Sequence, residues 1–417
     1  MMGLIRYCLL LGGILLIIAG IAQNGLTGKV LDRYGKPLAS ASIFLTGTSF
    51  GTVANEQGAF ALYGMPAGKY DLIVSCVGYK TQSTSIDTRI ANEPMTFTLE
   101  LRTDELDNVV IGPGEEAPWE KWGQFFLDNF IGTMPESRKC VLENKQAVRF
   151  RNYRKQNLLR ASSSKPLIIT NNALGYKVTY QLEDFQYDYS TKIIYYFGYV
   201  LFEPLVAKND RKLKQWEAAR MDVYYGSQLH FFRSLYRNTQ LEEGYEMRKL
   251  IKKPNLEKER VKALMKKQVM QNGVLTVDAK GSIKPATNIS GGDSSLYYRG
   301  VLKQSDEIAI LVAPILPGDS VAFQVNPYTA GLQFSDYLQI IYVKAKEDPA
   351  YLKDQGREGK KSQFQESTLK MNEKGSVEIS SLGILNDPLL LLNSGYWGWR
   401  DKVGTMLPVD YKPPVKK

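Results

Sequence analysis

Residues 26–62 read LTGKVLDRYGKPLASASIFLTGTSFGTVANEQGAFAL, and this stretch decides the fold of the first part of the chain. Two short segments, Leu26 to Leu31 and Ala41 to Leu45, read as strands and are separated by a turn that contains Gly35 and Pro37. After the turn at 55–58, Phe60 and Leu62 fall on the same face of another strand. The pattern predicts short strands joined by tight turns, without helices.

The alternation continues up to residue 102. One strand places four side chains on the core face, namely Tyr70, Leu72, Val74 and Cys76. A last strand does the same with Phe97, Leu99 and Leu101. About six such strands over residues 23–102 predict a two-sheet, Ig-like β-sandwich.

The glycines and prolines of this region follow a spacing that resembles the carboxypeptidase-like regulatory domain. The residues that carry the resemblance are Gly28, Val30, Asp32, Gly35, Pro37, Leu38, Ala41, Gly47, Thr48, Gly51, Thr52, Asn55, Gly58, Phe60, Leu62, Pro66, Gly68, Tyr70, Leu72, Gly78 and Tyr79. The resemblance implies a transthyretin-like sandwich that serves as a structural or interaction module in exported Bacteroidota proteins. It implies no peptidase activity and no catalytic residue.

The first 22 residues have the features of a signal peptide. Arg6 precedes an apolar run from Leu9 to Ile21, and Gly20 and Ala22 supply the small residues of a cleavage site. The run is short for a membrane span, and no second long apolar stretch follows. We therefore expect export to the periplasm, the outer membrane or the cell surface, with no transmembrane segment after cleavage.

Residues 103–118 are expected to form a linker, and residues 119–417 a mixed, mostly antiparallel α+β domain with a loop-rich part near 270–296 that divides it into two subdomains. Apolar spacing from Trp119 to Phe130 predicts a helix packed on a sheet, with an aromatic ligand platform as the alternative. A hairpin is expected from 176–189 and 192–202, with a bulge in its first strand and a central position for its second. Residues 209–238 should be helical with a break at 226–227.

Farther along, strands are expected at 297–301, 308–313, 320–325 and 338–346, and a polar loop or edge at 351–362. The segments 367–371 and 376–379 should form a hairpin around the turn at 372–375. Residues 249–267 form a basic stretch, interpreted as a solvated helix face or as a holder of an anionic glycan or lipid head group. The segments 173–176 and 225–235 resemble a family of secreted Bacteroidota proteins, a resemblance that brings no activity with it.

The chain has one histidine, His230, which excludes zinc sites that need two histidines. His230 could activate Ser234 four residues along a helix, although a structural histidine is the more common case. The predicted hairpin carries four acids, Glu183, Asp184, Asp188 and Glu203, and two of them could act as a glycosidase pair. Glu183 projects from the polar face and is expected to face solvent. No cofactor-binding or metal-binding motif is present in the sequence.

The aromatic segment near the C-terminus offers a candidate ligand site. Tyr396, Trp397 and Trp399 lie between glycines, where their rings could stack on sugars or pack into the core. Cys76 and Cys140, expected in different domains, are interpreted as free thiols, with a disulfide as the alternative.

The formal net charge of +10 suits an anionic partner such as envelope polysaccharide, whereas nucleic acid is not expected for an exported chain. The sequence favours a non-enzymatic envelope protein that acts in binding or assembly. The alternatives are a carbohydrate-binding protein of a glycan-uptake system and a two-carboxylate glycan hydrolase.

Overall fold

The computed structural model describes residues 25–90, 93–102, 114–272, 275–277, 283–285, 293–373 and 375–414. The predicted signal peptide at 1–22 lies outside these ranges, as do most of the linker at 103–118 and much of the loop-rich segment at 270–296. The chain is mainly β, as predicted, with a sandwich at its N-terminus and antiparallel sheets after it.

The N-terminal sandwich has one three-stranded and one four-stranded sheet, ordered β4-β1-β7 and β3-β2-β5-β6. The strand pattern of the sequence is confirmed, since the alternating apolar side chains fill the space between the sheets. Cys76 is only partly buried at the edge of this core, and Leu101 is exposed beyond the last strand. The strands are β1 (Leu26–Asp32), β2 (Ser42–Leu45), β3 (Gly51–Val53), β4 (Ala59–Leu62), β5 (Lys69–Ser75), β6 (Gln82–Asp87) and β7 (Met95–Leu99).

The next part of the chain forms a seven-stranded sheet with one helix packed on it. The elements are β8 (Glu115–Ala117), α1 (Trp119–Phe130), β9 (Cys140–Leu142), β10 (Val148–Tyr153), β11 (Leu158–Ser163), β12 (Leu167–Asn171), β13 (Tyr176–Asp188) and β14 (Ile194–Pro204). The order is β8-β10-β11-β13-β12-β9, with β14 on the other side of the long strand β13. Phe126 and Phe130 are fully buried, which confirms that α1 packs on the sheet, whereas Trp119 and Trp122 are half-buried.

Two expectations for this sheet are wrong. Residues 115–117 of the predicted linker form an edge strand on β10. The strand β14 is not central, because β13 is its one neighbour within the sheet. The hairpin and its bulge between Leu182 and Asp184 are confirmed.

The last part of the chain packs α-helices around a five-stranded sheet, ordered β18-β15-β21-β22-β24, and a three-stranded sheet, ordered β19-β20-β23. Its core includes Phe231, Tyr245, Leu338 and Trp397. The elements are α2 (Asp210–Tyr224), α3 (Gln228–Tyr236), β15 (Tyr245–Pro254), α4 (Leu256–Asn272), β16 (Leu275–Val277), β17 (Ile283–Pro285), α5 (Asp293–Lys303), β18 (Glu307–Leu311), β19 (Ala322–Asn326), β20 (Thr329–Leu332), β21 (Tyr337–Lys346), α6 (Pro349–Asp354), β22 (Phe364–Met371), β23 (Val377–Ser380), β24 (Leu391–Gly395) and α7 (Tyr396–Arg400).

The helix break at Gly226 is confirmed, and Gly226 has a positive φ of 84° that suits glycine. Three local predictions are wrong. Residues 297–301 lie in the helix α5, and the polar segment 351–362 begins within the short helix α6. The strands that flank 372–375 enter different sheets, β22 beside β21 and β23 beside β20, so they form no hairpin.

The N-terminal sandwich is docked on the second region through its four-stranded sheet. Gly47 donates its N–H to the carbonyl of Val200 on β14 (2.7 Å), and Phe202 donates to the carbonyl of Thr48 (3.0 Å). Phe44 and Ile73 point away from the sandwich core and are nevertheless buried. The sandwich therefore covers the outer edge of β14 from Val200 to Phe202.

The C-terminal tail strengthens this contact. Val409 donates to the carbonyl of Gly47 (2.7 Å), and the carboxylate of Asp410 accepts from the N–H of Ser49 (2.9 Å) and from its hydroxyl. The C-terminal tail therefore binds the sandwich at the loop that contains Gly47 and Ser49.

A further contact joins the sandwich to the last part of the chain, where the guanidinium of Arg89 lies 3.6 Å from the centre of the Tyr328 ring.

Cys76 and Cys140 are free thiols, as the sequence favoured. Burial raises the pKa of Cys140 to about 12, which keeps it in the unreactive thiol form. Among the helices that the structure describes, none combines the length and the apolar character required to cross a bilayer.

Candidate functional site

His230 lies in the first turn of α3, next to the Gly226 break. Its Nδ1 accepts hydrogen bonds from the Gly226 N–H (3.2 Å) and the Tyr245 hydroxyl (2.8 Å). Because Nδ1 accepts twice, the ring proton belongs on Nε2, which donates to Glu243 at 2.7 Å. Burial lowers the pKa of His230 to about 4, so the imidazole is neutral at pH 7.

The predicted alternative of a His230–Ser234 nucleophile pair is wrong. The Ser234 hydroxyl is fully buried and donates to the carbonyl of Phe231 at 2.7 Å. Both ring nitrogens of His230 are occupied by other partners, so the histidine serves as a structural connector between α3, β15 and Glu243.

The acid pair Glu183 and Glu203 is not assembled. Glu203 stands opposite Lys177 in the β13–β14 register and forms an ion pair with it at 3.1 Å. Glu183 lies six positions along the same strand from Lys177, which is ~20 Å at 3.3 Å per residue. Glycosidase carboxylates lie about 5–9.5 Å apart. Glu183 is also less exposed than expected, since one of its oxygens is buried.

The aromatic segment at the C-terminus is buried, which corrects the proposal that Tyr396, Trp397 and Trp399 bind a ligand. Their exposed fractions are 2%, 2% and 9%. Trp397 donates its indole N–H to the carbonyl of Gly226 at 2.7 Å, and the other two rings pack with Tyr351. The short helix α7 turns the rings inward, so their faces are not available to a sugar.

The basic stretch 249–267 is divided between a strand and a helix. Lys249, Lys252 and Lys253 lie on β15, and the rest of the stretch follows in α4. Several of its cations already have acidic partners, as in the pairs Arg260–Glu257 and Lys262–Asp306. The stretch is therefore only partly the helix face that the sequence predicted.

A cleft with a volume of about 320 Å³ opens beside the histidine network. It lies between α3, the loop at 381–382 and the C-terminal tail. Its lining residues are Tyr224, Tyr225, Arg233, Arg237, Glu243, Ser381, Leu382, Val409, Asp410, Lys412 and Pro413. Sequence analysis named none of these side chains as a candidate, because they come from four separate segments of the chain.

Arg233 is the buried cation of the cleft, with 6% of its surface exposed. Its guanidinium donates to the backbone carbonyls of Leu382 (3.0 Å), Tyr411 (2.9 Å) and Val409 (2.7 Å). It also lies 5.5 Å from the ring centre of Tyr224. These partners are neutral, so the positive charge of Arg233 is solvated without a carboxylate among the described residues.

The carboxylates of the cleft are already engaged. Glu243 accepts from Arg237 (2.7 Å), Thr239 (2.5 Å) and His230. Burial alone would raise the pKa of Glu243, but these hydrogen bonds outweigh it and lower the pKa overall. Asp410 is held by Ser49. The cleft thus presents Arg233 and the exposed Lys412 beside two hydrogen-bonded carboxylates and the partly exposed ring of Tyr225.

In the part of the chain that the structure describes, no group of three or more His, Cys, Asp or Glu side chains could hold a metal ion. This statement covers the cleft, whose two carboxylates are engaged as described above.

Comparison with curated proteins gives one informative relative. A TonB-dependent receptor from Formosa agariphila is 33% identical over 96 residues. The match covers 23% of this chain and only 9% of that receptor, so the two proteins share a short segment.

Two solved structures overlap weakly with the chain. Both are interface mutants of a type II cohesin–X-dockerin complex from Acetivibrio cellulolyticus, at 17% and 22% identity and TM-scores of 0.14 and 0.13. Each covers 18% of this chain and about half of the other. Overlaps of this size carry no information on function.

A family model agrees with the resemblance seen in the glycine spacing. The model of the CarboxypepD_reg-like domain matches residues 26–111, which contain all seven strands of the sandwich. Residues 26–111 of the chain therefore belong to the CarboxypepD_reg-like domain family.

Proposed function

We propose that the chain is a non-enzymatic, exported protein of the cell envelope that binds an acidic polysaccharide in the cleft beside Arg233. The observation that carries the proposal is the buried guanidinium of Arg233, which lines the cleft and has only neutral partners. The carboxylate or sulfate of an acidic sugar would give this guanidinium a direct anionic partner.

The envelope location is supported by the N-terminal domain. Its relative is a TonB-dependent receptor, and the leader at 1–22 has the pattern of a signal peptide. We propose export to the periplasm, the outer membrane or the cell surface, and a polysaccharide of the same compartment as the ligand. The net charge of +10 favours a polyanion over a neutral chain.

The chemistry of the cleft favours a carboxylated or sulfated sugar. Guanidinium and ammonium groups donate charge-assisted hydrogen bonds to such anions, and Arg233 and Lys412 supply them here. The ring of Tyr225 can pack against the apolar face of a sugar. The volume of about 320 Å³ fits one or two sugar units at most, so we expect recognition of a chain end or a short repeat.

The same cleft is poorly suited to hydrolysis. A glycosidase requires one protonated carboxyl group and one free carboxylate. The hydrogen bonds from Arg237, Thr239 and His230 keep Glu243 ionised, and Ser49 occupies both oxygens of Asp410. Neither group is free to donate a proton or to attack a sugar, so we propose binding without turnover.

The test is affinity electrophoresis of the mature chain in gels that contain polygalacturonate, chondroitin sulfate or neutral dextran. We expect retardation by the two polyanions and none by dextran. Lys412→Glu should weaken the apparent Kd at least tenfold. The matched control, Lys155→Glu, makes the same charge change at an exposed site outside the cleft and should have little effect.

If the two variants lose affinity equally, binding reflects bulk charge and the cleft is not the site. Release of new reducing ends from either polyanion would overturn the non-enzymatic part of the proposal.

A further inference from the structure

The strand β18 forms one end of the five-stranded sheet and has no neighbour on its outer side among the described residues. All five of its residues are exposed, including Ile308 (50%), Ile310 (42%) and Leu311 (46%). An edge strand that is both open and apolar is unusual, because proteins generally protect such edges with charges, bulges or covering loops.

The hydrogen-bond pattern shows which backbone groups are open. Val312 donates to Lys249, and Asn255 donates to Asp306, at the two ends of the β15–β18 pairing. In an antiparallel pair, hydrogen-bonded positions alternate, so the even-numbered residues of β18 bond to β15. The N–H and C=O groups of Ala309 and Leu311 therefore face outward, with no partner in the described chain.

Two other sheet edges of this protein, at β14 and β8, are protected. The edge of β14 is covered by Gly47 and Thr48 of the sandwich. The edge strand β8 carries two exposed glutamates, Glu115 and Glu116. By comparison, the outer edge of β18 has backbone groups without partners among the described residues, next to apolar side chains. Proteins that recognise a peptide by strand addition use a surface of this kind.

The charge around β18 indicates which kind of partner strand would bind. Residues 249–311 contain twelve Lys and Arg residues but only six Asp and Glu residues, so this segment holds a large part of the chain's surplus positive charge. Lys253, which is exposed, stands opposite Ile308 on the neighbouring strand β15. A second copy of the chain would bring two such cationic segments together, which is unfavourable.

We propose that β18 binds an extended, acidic and partly apolar segment of a partner protein, which adds to the sheet as a sixth strand. The outward groups of Ala309 and Leu311 would supply the backbone hydrogen bonds. The apolar side chains of β18 would pack beside those of the partner, and the nearby lysines would select acidic residues. This site is separate from the cleft and does not depend on it.

The experiment uses the mature chain and two labelled eight-residue peptides. One alternates valine with glutamate, and its twin alternates valine with lysine. We expect the acidic peptide to bind at least tenfold more tightly in fluorescence anisotropy, and to slow amide hydrogen exchange at Ala309 and Leu311.

The decisive variant is Ala309→Pro. It removes an N–H that faces outward and leaves the bonds to β15 in place, so the sheet is retained. The variant should bind the acidic peptide at least tenfold more weakly, whereas the control Ala309→Val should bind it with the affinity of the parent chain. Binding to polygalacturonate should be unchanged in both variants, which separates this site from the cleft.

Equal affinity for the two peptides, or no binding of the acidic one, would overturn the proposal. A dimer in sedimentation that disappears in Ala309→Pro would overturn it too, because the occupant would then be a second copy.

Discussion

Two sheets of the second region, the seven-stranded and the five-stranded one, end in different ways. The first sheet ends at β14, whose outer edge is bonded to Gly47 and Thr48 of the sandwich. The second sheet ends at β18, whose outer backbone groups have no partner among the described residues. The difference gives the N-terminal domain a structural role, since it closes an edge that would otherwise be open to other strands.

The largest expected loss of stability follows from a substitution at the contact between the sandwich and the second region. Ile73 is fully buried on the face of the sandwich that meets the second region. Replacing it with alanine should lower the free energy of unfolding by about 4 kcal/mol, through lost burial and the cavity that remains. The measurement is urea unfolding followed by tryptophan fluorescence. Val53→Ala, at a position that is 60% exposed, is the control and should change little.

If Ile73→Ala costs no more than Val53→Ala, the sandwich is not docked on β14 in solution. The outer edge of β14 would then be as open as that of β18.

The second prediction concerns pH, since His230 lies in the helix whose Arg233 holds the tail against the sandwich. The folded pKa of about 4 lies below the ordinary value of 6.5, so the unfolded chain binds the proton first. The contribution of the neutral His230 to the free energy of unfolding is therefore complete above pH 6.5, and it is lost as the pH falls from 6.5 to about 4. The total loss should be roughly 3 kcal/mol at 1.36 kcal/mol per pKa unit.

This loss is measured by urea unfolding at pH 7 and pH 4.5 for the parent chain and for His230→Gln. Glutamine does not titrate, so the difference between the two proteins should shrink at the lower pH. A difference that stays constant would contradict a neutral buried histidine.

A smaller effect is expected where the tail meets the sandwich. Ser49→Ala removes the hydroxyl donor to Asp410 and keeps the backbone N–H bond. Loss of one hydrogen bond to a charged group should cost about 1.5 kcal/mol. Thermal unfolding measures it against Ser85→Ala, an exposed serine on β6. Equal midpoints for the two variants would show that the tail does not secure the contact.

The smallest change in the free energy of unfolding is expected for a substitution on the open edge strand β18. Ile308 is 50% exposed on β18, so Ile308→Thr should change the free energy of unfolding by less than about 0.5 kcal/mol. The same urea assay applies, and Ile73→Ala provides the contrast between an isoleucine on a covered face and one on an open edge. A loss above 1 kcal/mol would mean that β18 is already covered.

Local patterns account for most of what the sequence predicted correctly. The strands of the sandwich, the hairpin with its bulge at 182–184 and the helix break at Gly226 depend on neighbours within a few residues. The errors arise where pairing is distant. The strand at 377–380 follows β22 in sequence but bonds to β20.

The cleft shows the same limit for the candidate site. The sequence singled out His230, but not Glu243, Arg233 or Lys412, which reach the cleft from separate segments. It also proposed Trp397 and Trp399 as ligand-binding residues, because aromatics between glycines look alike whether they face a ligand or the core. A list of residue types cannot supply the distances between them.

By itself, the sequence determined the identity of the N-terminal domain, the absence of a two-histidine zinc site and the surplus of positive charge, because glycine spacing, residue counts and charge are properties of the chain. Only the folded chain shows which sheet edge is covered, which carboxylates are hydrogen-bonded and which segments surround the buried guanidinium of Arg233. These depend on packing between segments that are far apart in the sequence, as in the bond between Ser49 and Asp410, which are 361 residues apart, and burial is a property of that packing.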